Sequence, residues 1–493
     1  MSGLNSVVIV TVTGYLVFVA LIGYYGYRQT IDEADFLVAG RDVGPIVGAG
    51  TLLASQISAS TAIGAIGIHY VFGIGFIWIW VGVLVGWIIA LLLVAPQLRQ
   101  FGGMTVPDFL GSRYTDDGAN GDYARAASAV LIVAVFIVFL TAQYTAGSLI
   151  FQRLVGVSDT VGVGLTAGIA IAYTVFGGMR ASVLTDFFQA IILVGGLVLA
   201  VPLALSEVGG VGTLVTELRA IDPELVGQAL PAPRIGGFMA ASALGIAAAP
   251  VEIARFYSMR DEETVRSAIR LSLLAQGVIA VTVATLGLCA RVLFPGLGTP
   301  DVAAIVLSQE VFGPVAGTLF ILAVLSAILS TIDSVMLVSS AGIAHDIYIR
   351  LFQTDASERR KLWANRGAVV LVGTLPVGFA LHRELFGGLI TLIALLNLSL
   401  QGAIFFIPIV LGLHWQRATT TGALGSMIGG FVTVLVWHIG TEIGNFIPTV
   451  LATNLDDPVI PGVIVSFVLF VVFSLLTDPP SADSTRPFFT ETD

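Results

Sequence analysis

The 493-residue chain is far more apolar than a soluble protein: 56% of its residues are hydrophobic and 11% are charged, whereas soluble domains carry about 25% charged residues. Apolar runs of about 20 residues without strand-type alternation exclude a soluble domain and a β-barrel, and indicate an all-α polytopic membrane protein. The net charge of −10 lies mostly in loops, and Cys289, the single cysteine, excludes an internal disulfide and a thiolate metal cluster.

Thirteen apolar stretches are predicted to cross the bilayer as helices, which places the two termini on opposite sides. The predicted spans are 6–27, 44–68, 74–97, 126–150, 161–176, 181–205, 236–257, 268–292, 314–342, 366–382, 387–412, 419–440 and 460–477. With the N-terminus outside, the cytoplasmic segments hold 17 of the 22 Lys and Arg residues. The other five basic residues lie in the outer segments and are Arg153, Arg219, Arg234, Arg291 and Arg383. The positive-inside rule therefore predicts a cell-membrane protein with a cytoplasmic C-terminus.

Two of the spans have an interrupted composition. The span 44–68 opens with a Gly-Pro pair and has a polar middle, and the span 236–257 is broken by Gly245 and Pro250. Each begins a set of five spans, and the odd number inverts the second set relative to the first. Corresponding interrupted helices in two inverted halves indicate a transporter site at the membrane midplane. Two ordinary kinked helices would give the same pattern, because Gly and Pro are common in membrane spans.

The predicted organisation follows these two halves. It consists of a first span and cytoplasmic loop (1–43), a first five-helix repeat (44–206), an outer loop (207–235), a second, inverted five-helix repeat (236–413), two peripheral spans (414–477) and a short cytoplasmic tail (478–493).

The sequence predicts a cation site between the first interrupted span and the span 314–342. A helix tilts its side chains toward its N-terminus, so the hydroxyls of Ser330 and Thr331 fall over the carbonyl of Ala327. Where the interrupted span unwinds, the carbonyls of Ala54 and Ile57 lose their helical hydrogen bonds. Five neutral oxygens suit a monovalent cation better than calcium or magnesium, whose sites normally include carboxylates. We therefore predict sodium.

Two alternatives to this ion site stay open. The hydroxyls of Ser330 and Thr331 can simply bond back to carbonyls of the preceding turn, as Ser and Thr commonly do in membrane helices. A proton as the only coupling ion is the weaker alternative, because a proton relay needs a titratable group and the five predicted ligands include none.

Asp186 lies about one turn inside the sixth predicted span, and an intramembrane Asp is a functional hypothesis by default. It can attract the cation from the cytoplasmic side, or form a structural ion pair with nearby Arg180, and both interpretations stay open. Asp333 points around its helix away from the hydroxyl pair, where it can pair with a neighbouring span.

The solute site is predicted beside the cation, where polar side chains would be costly in contact with lipid. Pro250 cannot donate to the helical ladder, so it frees carbonyls near Ala247. Glu252 and Arg255, three residues apart, are predicted to pair at the inner surface as a latch. Gln401, one turn after Asn397, can face the same cavity, although polar contacts between helices explain this pair equally well. The predicted solute-contact residues are Gln56, Ser58, Ser60, Thr61, Ala247, Pro250 and Gln401.

Catalytic signatures of soluble enzymes are absent from the sequence. It contains no GxxxxGK[ST] or HExxH motif and no run of paired acidic residues within a span. No basic, aromatic-interleaved stretch suggests nucleic acid. We predict neither an enzyme nor a nucleic-acid-binding protein.

Several motifs, in order, resemble the sodium:solute symporter family over residues 30–430. They are Ala54-Ser-Gln-Ile-Ser58, Thr105-Val-Pro-Asp-Phe-Leu110 with Arg113-Tyr114, Phe176-Gly-Gly to Thr185-Asp186 with Gln189, Pro250 with Arg255-Phe256, Ser326-Ala-Ile-Leu-Ser-Thr331 with Asp333-Ser334, and Pro408 to Trp415 with Arg417 and Gly422.

The resemblance implies a leucine-transporter-type (LeuT-type) inverted-repeat fold with 5+5 core helices and about thirteen spans. It implies alternating access driven by co-transported sodium. Carried over position by position, the family's sodium site falls on the carbonyls of Ala54, Ile57 and Ala327 and the hydroxyls of Ser330 and Thr331. The acidic residue that lies near this site in some members falls on Asp186.

The resemblance says less about the solute. Proline carriers have an acidic residue where this chain has Gln56, and sugar carriers have a more acidic and amide-rich wall where it has Ser60 and Thr61. We expect a small monocarboxylate or an amino acid such as proline, its carboxylate received by a half-helix N-terminus near Ser60 or Ala249. The alternatives are a membrane sensor with this fold, a proton-coupled symporter and a passive channel; no obligate protein partner is evident.

Overall fold

The computed structural model describes residues 6–115, 120–228, 230–382, 390–444 and 446–489. The predicted outer residue Arg383 and the start of the predicted 387–412 span lie outside these ranges. The helices in the first half are α1 (Ser6–Gln29), α2 (Glu33–Val38), α3 (Pro45–Gln56), α4 (Ser60–Phe101), α5 (Val106–Arg113), α6 (Asn120–Val155), α7 (Asp159–Val208) and α8 (Val211–Ile221).

The helices of the second half follow. They are α9 (Ala232–Ala247), α10 (Pro250–Ser258), α11 (Glu262–Leu293), α12 (Ala303–Glu310), α13 (Gly313–Phe352), α14 (Glu358–Ala380), α15 (Ile390–His414), α16 (Thr420–His438), α17 (Thr449–Asn454) and α18 (Val459–Leu476). Ten helical segments in the described ranges are long and apolar enough to cross a membrane.

Two of the predicted spans meet at a break in the helical backbone. The spans 161–176 and 181–205 both lie in α7, which is interrupted at Gly178, where φ is 57° and ψ is −164°. A side chain disfavours this positive φ, and a Cβ added to Gly178 would lie 2.7 Å from the ring of Phe36. Likewise α4 turns sharply at Gly73, with φ at 64°. The number of membrane crossings depends on whether helical segments joined at such breaks are counted separately. Thirteen crossings therefore remains a prediction.

Two interruptions lie at the positions that the sequence indicated. Helix α3 ends at Gln56, and Ile57 has extended backbone angles, φ −86° and ψ 105°. Helix α9 ends at Ala247, and Ala249 is extended (φ −67°, ψ 126°) before Pro250 begins α10. Pro suits this first helical position because it has no N–H to satisfy and its φ is already helical.

Both interrupted helices pack closely on α15, and glycines make this approach possible. A Cβ added to Gly64 of α4 would lie 2.2 Å from Oγ1 of Thr391, and one on Gly245 of α9 would lie 2.6 Å from the carbonyl oxygen of Leu398. Helix α13 is held in turn against α3, α6 and α7. The breaks therefore lie in the centre of the bundle, between α13 on one side and α15 on the other.

The start of α3 and the end of α10 meet at one face of the bundle. The N–H of Val43 donates to the carbonyl of Ser258 at 3.2 Å, and the N–H of Arg260 donates to Val43 at 3.1 Å. Arg99 caps the same strand-like contact by donating to the carbonyl of Met259 at 2.6 Å. The two interrupted helices therefore run in opposite directions.

Candidate ion and solute site

Four of the five predicted ion ligands lie together in the structure. The hydroxyl of Ser330 is 3.0 Å from the carbonyl oxygen of Ala54 and 3.2 Å from that of Ala327. The hydroxyl of Thr331 is 3.0 Å from the same Ala327 oxygen. All four residues are fully buried. Oxygens of α3 and α13 thus face one another at the edge of the first interruption.

The fifth predicted ligand, Ile57, is the first non-helical residue after α3. Its N–H still donates to Leu53 at 2.8 Å, but its extended ψ of 105° turns its carbonyl out of the helical direction. The alternative of simple back-bonding also holds for the hydroxyls of Ser330 and Thr331, since both reach Ala327. What back-bonding does not explain is the contact of Ser330 with Ala54 on another, interrupted helix.

A buried ion pair adjoins this group of oxygens. Arg255 Nη2 lies 3.2 Å from Asp186 Oδ2, and neither side chain is exposed. The same carboxylate oxygen accepts a hydrogen bond of 2.6 Å from Thr51, one turn before Ala54 on α3. Arg255 also donates to Ser334, which donates to the carbonyl of Ser330 at 2.7 Å. The charged pair and the candidate ion ligands therefore form one connected network.

The predicted pair of Glu252 with Arg255 was wrong, and the alternative pair of Asp186 with Arg180 is not found. Arg180 pairs with Asp35 at 2.8 Å, not with Asp186. The Glu252–Arg255 latch does not form. Arg255 turns into the core instead, where several oxygens accept hydrogen bonds from its guanidinium group. It also donates to Ser182 at 2.9 Å.

Asp333 is likewise buried, and its carboxylate accepts a hydrogen bond of 3.3 Å from Ser334. No Lys or Arg in the described ranges lies within 4.0 Å of it. The predicted pairing with a neighbouring span is therefore not made with a cation of the described chain.

A cavity of about 80 Å³ opens beside the ion ligands. Of the predicted solute-contact residues, those that line it are Gln56, Ser58, Ser60, Thr61 and Gln401. Ala247 and Pro250 are not among its lining residues; Pro250 lines a smaller space next to Thr105 and Met179. The backbone turn at Ala248–Ala249 explains this, because it presents Ile246 and Ala249 to the main cavity instead.

The residues that line the cavity are of two kinds. One group is apolar and mostly aromatic, and includes Phe76, Ile79, Trp80, Val83, Phe136 and Phe139. The other group is polar and comes from both interruptions and α15, and includes Asn397 and Glu252. Such a site suits a small solute with an apolar body and a polar end.

The start of α4 is already hydrogen-bonded by the protein. The side-chain oxygen of Gln143 on α6 accepts a hydrogen bond of 3.0 Å from the backbone N–H of Ala59. The hydroxyl of Ser58 accepts one of 3.2 Å from the backbone N–H of Ser60. Sequence reasoning missed Gln143, which is a lone amide in an apolar span. The only sequence feature that could have identified Gln143 is the presence of an amide side chain within a span that is otherwise apolar.

Comparison with known proteins identifies the family. A model of the sodium:solute symporter family matches residues 36–430. The chain belongs to the sodium:solute symporter family. It is 28% identical to the osmoregulated proline transporter OpuE of Bacillus subtilis (strain 168), across 98% of this chain and 97% of that one. It is 29% identical to the high-affinity proline transporter PutP of the same organism, across 95% and 98%.

The symporter's fold is also that of a solved structure. A Na⁺-coupled sialic acid symporter in a substrate-bound outward-open state superposes with a TM-score of 0.79 at 17% sequence identity, across 96% of this chain and 99% of that one. The fold is therefore the LeuT-type inverted-repeat architecture that the sequence predicted. This sodium:solute symporter is a multi-pass membrane transporter, not an enzyme, and it couples the movement of a small solute to sodium.

Proposed function

We propose that this symporter binds its sodium ion at the carbonyls of Ala54, Ile57 and Ala327 and the hydroxyls of Ser330 and Thr331. The observation that carries the proposal is the 3.0 Å approach of the Ser330 hydroxyl to the Ala54 carbonyl. It joins the interrupted helix to α13 through oxygens alone. A sodium ion there would take lone pairs of the two hydroxyls, whose hydrogens would turn toward other acceptors.

The ion and the solute are coupled through the interruption after α3. Ala54 and Ile57 supply ion ligands, while Gln56 and Ser58 between them line the cavity. Ion binding therefore fixes the backbone that carries the solute-binding groups, and it raises solute affinity. By thermodynamic linkage the solute raises sodium affinity by the same factor.

The proposed solute is a small amino acid or monocarboxylate, and proline is the first to test. The relatives OpuE and PutP are proline transporters by name, and a cavity lined by both apolar and polar residues suits a molecule of this kind. Gln56, Ser58, Ser60, Thr61 and Gln401 would contact it directly. Ala247 and Pro250 would shape the second interruption behind it.

Asp186 serves in this proposal as a charge near the ion path, held in place by its partner Arg255. Its second oxygen, Oδ1, is buried and has no hydrogen-bond partner. One negative charge with a free acceptor atom lowers the energy of a cation nearby. The ion pair with Arg255 limits this effect but does not remove it, because the two hydrogen bonds from Thr51 and Arg255 both go to Oδ2.

We propose the orientation that charge counting predicted, with the N-terminus outside. The face where α3 starts and α10 ends also carries Arg41, Arg99 and Arg260. Phe488 of the C-terminal tail stacks on Phe101 at the end of α4, which places the tail at that face. The positive-inside rule assigns this face to the cytoplasm. We further propose that 44–206 and 236–413 are the two inverted repeats.

The experiment is uptake of labelled proline, other amino acids and small monocarboxylates into proteoliposomes. Each solute is tested with an inward sodium gradient, with a potassium gradient of the same size, and with a pH gradient alone. The proposal expects uptake of an amino acid or monocarboxylate above the external concentration with sodium only. Equal accumulation under the pH gradient alone would contradict it.

A further inference from the structure

One carboxylate in the solute cavity forms no ion pair with a cationic side chain of the described residues. Glu252 is in the first turn of α10, lines the cavity and is 6% exposed. The nearest sequence neighbour able to neutralise it, Arg255, pairs with Asp186 instead. Within the described ranges, no Lys, Arg or His nitrogen lies within 4.0 Å of Glu252.

Three amide side chains line the same cavity as Glu252: Gln56, Asn397 and Gln401. Each amide carries both a donor NH2 group and an acceptor oxygen, so these groups can serve a ligand of either kind. None of the residues that line the cavity is Lys, Arg or His. Glu252 is therefore the charged group that a ligand in this cavity meets.

A buried carboxylate without a counter-charge is costly, and so is a buried acceptor without a donor. A ligand that brings a positive charge and N–H donors offsets the cost of the carboxylate. An ammonium group does this, and its hydrogen bonds to a carboxylate are among the strong, charge-assisted kind. A monocarboxylate without nitrogen does the opposite, because it adds a second negative charge to the same cavity.

We propose that Glu252 binds the protonated amine of the transported solute, in a cavity that is also lined by the amides of Gln56, Asn397 and Gln401. The solute class is thereby narrowed to amino acids and imino acids, and plain monocarboxylates are excluded. This inference rests on the proposed transport function and adds the group that selects the solute. The aromatic side chains of Trp80 and Phe136 pack against the hydrocarbon part.

The position of Glu252 also changes one expectation about the solute carboxylate. The sequence predicted the start of α10, near Ala249, as one of two sites for that carboxylate. Glu252 already occupies the positive end of this helix, where its own negative charge is stabilised. It therefore repels a second carboxylate from that end of the cavity.

The test compares two ligands of nearly the same shape: proline, and cyclopentanecarboxylate, which lacks the ring nitrogen. Binding to purified protein is measured with labelled proline at saturating sodium, with cyclopentanecarboxylate as competitor. The variants are Glu252→Gln and Glu252→Asp. Glu263→Gln is the control, because it removes the same charge from a side chain that is 72% exposed.

We expect wild type and Glu263→Gln to prefer proline by about 100-fold or more, the range for loss of a charged hydrogen-bond partner. In Glu252→Gln the proline affinity falls by about 100-fold, and the affinity for cyclopentanecarboxylate stays equal or rises. Glu252→Asp binds proline more weakly than wild type but still prefers it to cyclopentanecarboxylate. If Glu252→Gln yields no folded protein, the preference retained by Glu252→Asp is compared with that of Glu252→Ala.

Two results would overturn the inference. The first is a Glu252→Gln variant that binds proline with unchanged affinity. Its tryptophan fluorescence must still change when sodium is added, which shows that the variant is folded. The second is a wild type that binds cyclopentanecarboxylate as well as proline in sodium, which would leave sodium-coupled transport intact but remove amine selection. Failure of the proposed function has a different signature: neither ligand binds wild type in a sodium-dependent way.

Discussion

Arg255 of α10 and Asp186 of α7 form an ion pair of 3.2 Å in which both side chains are completely buried. The pair links α10, the second half of the second interrupted helix, to α7, which packs against α3 of the first interrupted helix. Through Thr51 and Ser334 it also touches both elements that carry the candidate ion ligands. A change at either residue should therefore affect both the stability of the fold and its response to sodium.

Asp186→Asn separates these two effects. We expect a lower melting temperature in detergent, because removing one partner of a buried ion pair costs about 3–5 kcal/mol. We also expect the sodium concentration for half-maximal uptake to rise about tenfold, corresponding to ~1.4 kcal/mol of lost coupling. The double variant Asp186→Asn with Arg255→Gln should recover stability but not the sodium response. Recovery of both would mean that Asp186 has only a structural role.

Gly64→Ala tests the close packing of α4 on α15. The added Cβ would lie 2.2 Å from Oγ1 of Thr391 and 3.0 Å from its backbone nitrogen. Overpacking of this kind costs about 1–3 kcal/mol, so we expect a lower melting temperature and slower uptake. Gly277→Ala on α11 is the control, because nothing lies within 4 Å of the added Cβ. Equal behaviour of the two variants would show that α4 and α15 can separate freely.

A cluster of charges at the proposed cytoplasmic face predicts a pH-dependent contribution to stability. Asp108 of α5, outside the membrane spans, contacts Arg125 and lies 3.3 Å from His345. Burial by itself raises the pKa of Asp108, but the hydrogen bonds and charges of His345 and Arg125 outweigh it and hold this pKa below its usual range. A depressed folded-state pKa means that the contribution is complete above about pH 4 and is lost on further acidification.

We therefore expect Asp108→Asn to lower the melting temperature at pH 7, in line with a loss of about 3–5 kcal/mol for a broken buried pair. The difference from wild type should shrink below about pH 4. Asp42→Asn, at an ion pair whose acidic side chain is 76% exposed, is the control and should change little. A difference that stays constant through the acid range would contradict the assignment to Asp108 ionisation.

The sequence located both interruptions because their signals are local. A polar run after α3, and Gly245 with Pro250 between α9 and α10, mark places where a membrane helix cannot continue unsupported. The approach of the Ser330 and Thr331 hydroxyls to the Ala327 carbonyl on α13 was also predictable, because it follows from helix geometry alone.

Long-range pairings were not predictable in the same way. Arg255 had Glu252 three residues away as an obvious partner, yet its actual partner, Asp186, is 69 residues earlier in the chain. Such a contact depends on how the helices pack, which periodicity does not encode. The same reason applies to Arg180 and Asp35, 145 residues apart. For the same reason the sequence does not indicate that Glu252 lacks an ion pair, which follows from the turn of Arg255 toward Asp186.

The most direct test of the ion site is the sodium dependence of uptake in Ser330→Ala and Thr331→Ala. Ser340→Ala is the control, because this buried hydroxyl on α13 also bonds to a carbonyl of the preceding turn, at 2.9 Å. We predict that Ser330→Ala and Thr331→Ala need at least about tenfold more sodium than wild type for half-maximal uptake. Their solute affinity at saturating sodium should stay near the wild-type value. Ser340→Ala should behave like wild type in both measurements. Sodium dependence that is unchanged in Ser330→Ala and Thr331→Ala, with both proteins folded, would contradict the site.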